Sequence, residues 1–240
     1  MNYKIIKMLS SKGNLFAGIL ILSFCLSKSF AQEKQKVSYK HLTYLPKNYN
    51  TDTAKYPLVI YLHGGSQKGN DLEKLKVYGL PYLVDKGKDF DFVMVAPQCP
   101  DGKYWSTENW FDSLYNDVTA KYRIDKSRVY VTGISMGGYG TYTAALDHPE
   151  KIAAIVPLCG GVNDSDTTRI CTLKDIPILT FHGTADTEIS IHETERIAAP
   201  LKKCNGNITF HRIDGEGHGI QYLYETKPEI YEWLLKQRKD

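Results

Sequence analysis

The sequence has no charge surplus once its amino end is set aside. Its 240 residues include 30 lysines and arginines and 27 acids. Four of those lysines, Lys4, Lys7, Lys12 and Lys28, fall within residues 1–31, where no acid occurs, which leaves 26 basic and 27 acidic residues in the rest. A chain without a basic excess has little with which to hold a polyphosphate backbone, so nucleic acid is excluded as a partner. Cysteine is scarce too, and the sequence has no CxxC pair or Cys/His cluster at zinc spacing. It therefore predicts no metal site and no cofactor. Internal repeats and low-complexity linkers are missing, and 19 Gly and 10 Pro are ordinary numbers; collagen-like repetition and disorder are excluded. The apolar run Leu15–Leu26 is shorter than the roughly twenty residues a membrane-spanning helix needs.

That run instead has the shape of an export signal. Lysines precede it, and Ser29-Phe30-Ala31 follows, with small residues where a signal peptidase requires them. The reading is a signal peptide over residues 1–31, a mature chain of one domain over 32–240, a secreted or periplasmic location, and no stable membrane insertion after cleavage. Retention as an anchor is the alternative; lipidation at Cys25 is disfavoured by the bulky Phe24 before it. Export permits disulfides. The mature cysteines Cys99, Cys159, Cys171 and Cys204 allow three full pairings, with Cys159–Cys171 one candidate bridge across a polar loop and four buried thiols the other possibility.

Short apolar runs alternate with amphipathic stretches along the mature chain. Leu58–Leu62, Phe92–Ala96, Val129–Thr132, Ile152–Leu158 and Ile176–Phe181 are continuous in apolarity, which means burial on both faces and a parallel sheet covered by helices. Val37–Leu45 alternates and predicts an antiparallel edge strand; Ile208–Ile213 predicts the last strand. Helices are expected over residues 111–122, from Ser135 towards Asp147, from Ser190 with Ser190 and Glu193 as a capping box and Pro200 as its kink or end, and from Pro228 onwards. The pattern is that of an α/β doubly wound sheet, which binds ligands beyond the carboxyl ends of its strands.

Four of those strand ends carry chemistry. Gly133-Ile134-Ser135-Met136-Gly137 is a G-x-S-x-G between strand and helix, the setting of a nucleophile elbow. Serine needs a base, and His218 in Gly215-Glu216-Gly217-His218-Gly219 follows the last strand. The acid that orients the base belongs between serine and histidine in chain order. Asp186, after Phe181-His182-Gly183-Thr184-Ala185, fits that place, with Glu188 as fallback. In Leu62-His63-Gly64-Gly65-Ser66 a small-residue turn can offer an N–H group to an oxyanion. The expected donors are Met136 and Gly65, with Ser66 as alternative to Gly65. His63 and His182 read as residues that hold loop backbone.

The set L-H-G-G, T-G-I-S-M-G-G-Y-G, F-H-G-T-A-D and G-E-G-H resembles the α/β-hydrolase superfamily. It is similar in particular to secreted esterases of the dienelactone hydrolase, feruloyl and acetyl-xylan esterase and "predicted peptidase" kind. The likeness runs from about Tyr56 through V-A-P-Q-C-P, V-P-L-C-G-G and Y-E-W-L-L-K-Q. It implies an α/β-hydrolase fold with a mostly parallel sheet, a single domain and little or no lid. It further implies Ser135 as nucleophile, Asp186 as acid and His218 as base of a carboxylic ester hydrolase. Dienelactone hydrolase proper has cysteine where Ser135 stands, and many relatives have a tryptophan where Gly219-Ile220-Gln221 follows the histidine. The expected substrate is a small-molecule or polysaccharide-linked ester, short-chain, acetyl or feruloyl, with Trp105 in the segment 104–110 as an aromatic wall. A serine peptidase and a non-catalytic binding module on the same fold are the alternatives.

Overall fold

The computed structural model describes residues 37–239; the expected signal segment lies outside the described residues. Seven strands form one sheet: β1 (His41–Tyr44), β2 (Tyr56–Leu62), β3 (Val93–Pro97), β4 (Ile124–Ile134), β5 (Ala154–Leu158), β6 (Ile178–Gly183) and β7 (Ile208–Ile213). Their spatial order is β1-β3-β2-β4-β5-β6-β7. Strand β1 runs antiparallel to β3 at the edge, and every other neighbouring pair is parallel. Each apolar run from Leu58 onwards becomes a strand of this sheet.

The lack of polar alternation in the inner strands has a direct cause. Along β2, Leu58, Ile60 and Leu62 enter one apolar cluster while Val59 and Tyr61 enter another on the opposite face. Successive side chains of a strand point to opposite faces, so two covered faces require an apolar residue at every position. Helices α2 (Phe111–Lys121), α3 (Met136–Asp147) and α4 (His192–Lys203) pack on the first face through Leu114, Val118, Tyr142, Ile197 and Leu201. Helices α1 (Gly79–Asp85), α5 (Leu223–Thr226) and α6 (Glu229–Lys236) pack on the second through Leu80, Tyr224, Ile230 and Leu234. Among the described residues no helix is left over to form a lid. None is long and apolar enough to cross a membrane.

Three expectations need correction. The capping box at the start of α4 does not form. The helix begins at His192 without a side-chain cap, and Glu193 turns outward to Arg196 and Tyr139. Pro200 does not end α4, which continues to Lys203. This close to the carboxyl end, the missing N–H costs a single bond of the ladder. The disulfide joins Cys171 to Cys204, with Cα atoms 5.8 Å apart, whereas Cys99 and Cys159 are buried free thiols. Cys159 directly follows β5, and its thiol faces His218 O at 3.7 Å instead of Cys171.

Candidate active site

Strand β4 ends at Ile134 and α3 begins at Met136, so Ser135 alone makes the turn. Its backbone sits at φ 59° and ψ −121°, a conformation that costs a non-glycine residue of the order of 1–3 kcal/mol. The turn is clamped on both sides: Ser135 N donates to Leu158 O at 2.9 Å, and Ser135 O accepts from Tyr139 N at 3.1 Å. The flanking glycines are steric necessities. A Cβ on Gly133 would stand 2.5 Å from Leu62 O, and one on Gly137 would stand 2.0 Å from the same oxygen. Strand β2 therefore passes close enough to β4 and α3 only because both positions lack a side chain.

The loops after β6 and β7 are laced together. Thr184 N donates to Ile213 O at 3.0 Å, Ala185 N to Glu216 O at 2.9 Å, and Gly215 N to Thr184 Oγ1 at 2.9 Å. This lacing brings His218 onto Asp186, with Nδ1 2.7 Å from Oδ2. The other carboxylate oxygen, Oδ1, accepts from Glu188 N and Ile189 N, each at 2.9 Å. Burial of the Asp186 side chain works against its ionisation. The two backbone N–H groups and His218 outweigh that effect and hold its pKa below the usual carboxylate value. Glu188, the fallback acid, lies on the wrong side of the ring. Its Oε2 is 3.8 Å from His218 Nε2, and its side chain is 73% exposed.

Ser135 and His218 line one cleft of about 340 Å³ together with Gly64, Gly65, Ser66, Tyr78, Glu188 and Gln221. Gly65 opens the single turn Gly65–Gln67 and Met136 opens α3. The first N–H groups of a helical turn have no acceptor within it. The Gly64–Ser66 turn is fixed from below. His63 is fully buried; its Nδ1 donates to Gly64 O at 2.7 Å, which leaves Nε2 to accept from Cys99 N at 3.0 Å. Burial pushes this imidazole down to about 4, in keeping with a neutral ring. Gln98, from the end of β3, donates from Nε2 to Gln67 O at 2.9 Å and Asp71 O at 2.8 Å. His63 thus holds loop backbone, as its sequence setting indicates.

Trp105 does not form a wall of the site. It is 0% exposed, and its Nε1 donates to His63 O at 3.0 Å while its ring packs on Tyr39, His63 and Trp110. Its neighbour Tyr104, 53% exposed, takes the outward position instead. Tyr104 and Ser106 line a second cleft of about 320 Å³ with Ser135, Met136, Tyr139, Asn163 and Ile189. The segment 104–110 therefore does border Ser135, but through Tyr104 and not through Trp105. Tyr139, which the sequence does not single out, lines the same cleft because its position four residues after Ser135 puts it one helical turn along α3.

One cluster of metal-ligand type occurs among the described residues: Cys159, His182 and Asp186 bring their donor atoms within 4.8 Å of one another. Its chemistry does not suit a metal. His182 Nε2 faces the carbonyl of Ile189 at 2.9 Å, so it carries a proton and has no lone pair to give. Burial pushes the Cys159 thiol far up, away from the thiolate a metal would need.

A strand–serine–helix elbow on a mostly parallel sheet, with a histidine and a buried aspartate after later strands, defines an α/β-hydrolase. A model of the phospholipase/carboxylesterase family matches residues 103–225, and the chain belongs to that family. It is 30% identical over 158 residues to a bifunctional acetylxylan esterase/xylanase of Neocallimastix patriciarum, covering 63% of this chain and 22% of that protein. It is 27% identical over 187 residues to feruloyl esterase D of Neurospora crassa, covering 70% of this chain and 60% of the relative. The chain thus spans between about a fifth and three fifths of the length of these two relatives. Among solved structures, a thermostable esterase matches with a TM-score of 0.68 at 29% identity, over 83% of this chain and 59% of that one.

Proposed function

We propose that the protein is a serine-dependent carboxylic ester hydrolase working through Ser135, His218 and Asp186. The observation that carries this reading is the placement of Ser135, on a strained turn, in one cleft with a histidine whose Nδ1 is bonded to a buried carboxylate at 2.7 Å. His218 Nε2 takes the Ser135 proton as Oγ attacks the ester carbonyl. Asp186 fixes the ring and stabilises the imidazolium that forms. The N–H groups of Met136 and Gly65 receive the oxyanion. Collapse of the tetrahedral intermediate breaks the bond to the alcohol, which leaves with the proton returned by His218. A water molecule, deprotonated by the same histidine, then attacks the acyl-enzyme; Ser135 leaves as its free hydroxyl and the acid is released.

The leaving alcohol must lie within reach of His218 to be protonated. The alcohol side therefore belongs in the cleft that His218 lines, beside Ser66, Tyr78, Glu188 and Gln221, groups suited to a sugar. The acyl side falls in the opposite cleft, where Tyr104, Tyr139, Met136 and Ile189 suit an acetyl group or a planar phenolic acid. Acetylated or feruloylated plant polysaccharide is the substrate this arrangement favours, and residues 1–31 would export the enzyme to meet it. The names of the relatives support the same class. A panel of acetyl, octanoyl, palmitoyl and feruloyl esters and a peptide anilide tests the reading. The highest kcat/KM is expected on the acetyl or feruloyl ester; a preference for palmitoyl esters or the anilide would refute it.

A further inference from the structure

His182 stands behind the acid, and its hydrogen bonds fix its role. Both ring nitrogens are engaged and the side chain is fully buried. Nε2 lies 2.9 Å from Ile189 O and 3.2 Å from Asp186 Oδ2. Both neighbours are acceptors only, so Nε2 must be the protonated nitrogen. Nδ1 lies 2.7 Å from Thr194 Oγ1, which is itself 2.9 Å from Gly160 O. Whichever way the Thr194 hydroxyl points, the proton on Nε2 stays. Asp186 Oδ2 thus faces two imidazole N–H groups, one from His218 and one from His182. The first comes from the loop after β7, the second from the end of β6.

We propose that His182 is a positioning residue for the reaction, acting through Asp186. Its Nε2–H ties Oδ2 and the Ile189 carbonyl to β6 and so fixes the oxygen that orients His218. Cys159 completes the support, with its thiol reaching His218 O at 3.7 Å. The proposal rests on the reading of Asp186 and His218 as acid and base. It has a consequence for protonation. A donor on Oδ2 weakens that oxygen as an acceptor, so removing it strengthens the hold of Asp186 on a protonated His218. The titratable groups around His182 are Asp186 and Cys159, with His218 beyond the carboxylate and Glu188 on its far side. Arg212, opposite His182 in β7, is engaged by Glu195.

The test is the pH profile of kcat/KM on an acetyl ester for His182→Leu and His182→Gln, beside Asp186→Asn. His182→Leu is expected to lower kcat about tenfold with little change in KM, and to move the acid limb up by about half a pH unit. His182→Gln keeps an N–H near the Nε2 position and is expected to bring the limb back. A folded His182→Leu enzyme with the wild-type limb, or a Gln variant no better than Leu, overturns the proposal. If Asp186→Asn itself keeps full activity, the reading of Asp186 fails and the proposal with it. If Asp186→Asn is inactive while His182→Leu keeps the wild-type profile, only the proposal fails. Should His182→Leu not fold, imidazole NMR of the wild-type protein decides. A protonated His182 Nε2 across the active pH range is expected, and an unprotonated one overturns the proposal.

Discussion

The backbone of Ser135 occupies a region that few non-glycine residues adopt, with φ at 59°, and the reason for serine there is chemical. Ser135→Ala keeps the turn and removes only the hydroxyl. It is expected to lower kcat by roughly four to six orders of magnitude with unchanged thermal stability, because the three groups act as a unit. An active, folded variant in an ester assay would show the elbow to be a bystander. The same scale separates the two acids. Asp186→Asn is expected to cost about as much as the loss of orientation of the base implies, on the order of 10⁴ in kcat. Glu188→Gln is expected to cost less than tenfold, since Glu188 is exposed and faces the other nitrogen. Ester turnover by the two purified variants gives the comparison, and the opposite order would exchange their roles. Both acids were visible in the sequence as following β6. Which of them reaches Nδ1 depends on the lacing of two loops 30 residues apart.

At the scale of elements, the turn after β2 is the part whose stability has a pH signature. His63 titrates at about 4 when buried, against an ordinary 6.5. As pH falls from 6.5 towards 4, the unfolded chain takes up a proton that the folded one refuses, so stability falls across that window. The full difference is about 3 kcal/mol. His63→Gln should remove this dependence, so that urea midpoints of variant and wild type converge as pH drops from 7 to 4. Parallel curves would mean that His63 is not the group responsible. The strands themselves were legible from sequence, since burial on two faces leaves an apolar residue at every position. The start of α4 was not. Ser190 and Glu193 have the spacing of a capping box, but Tyr139 of α3 and Arg196 offer Glu193 competing partners, and tertiary contacts override a local preference.

For the molecule as a whole, the Cys171–Cys204 bridge ties the 164–173 loop to the end of α4 and closes a loop of sequence separation 33. Constraining an unfolded chain over that span contributes about 4 kcal/mol. Cys204→Ser, or reduction of the wild type, is expected to lower Tm by several degrees while leaving kcat on an acetyl ester nearly unchanged. An unchanged Tm would show that the bridge does not constrain the unfolded chain. Such a bond forms in an oxidising compartment, in accord with the export proposed for residues 1–31. The sequence by itself determined the alternation of strands and helices, hence the sheet. Through chain order and glycine spacing it also singled out Ser135, Asp186 and His218 as candidates, because these depend on local pattern and on what each strand end can present. The tertiary structure alone decided which cysteines pair, that Tyr104 and not Trp105 faces the site, and that His182 stands behind Asp186. Each of these turns on which segments distant in sequence come into contact, and the identity of a side chain does not specify its neighbours across the fold.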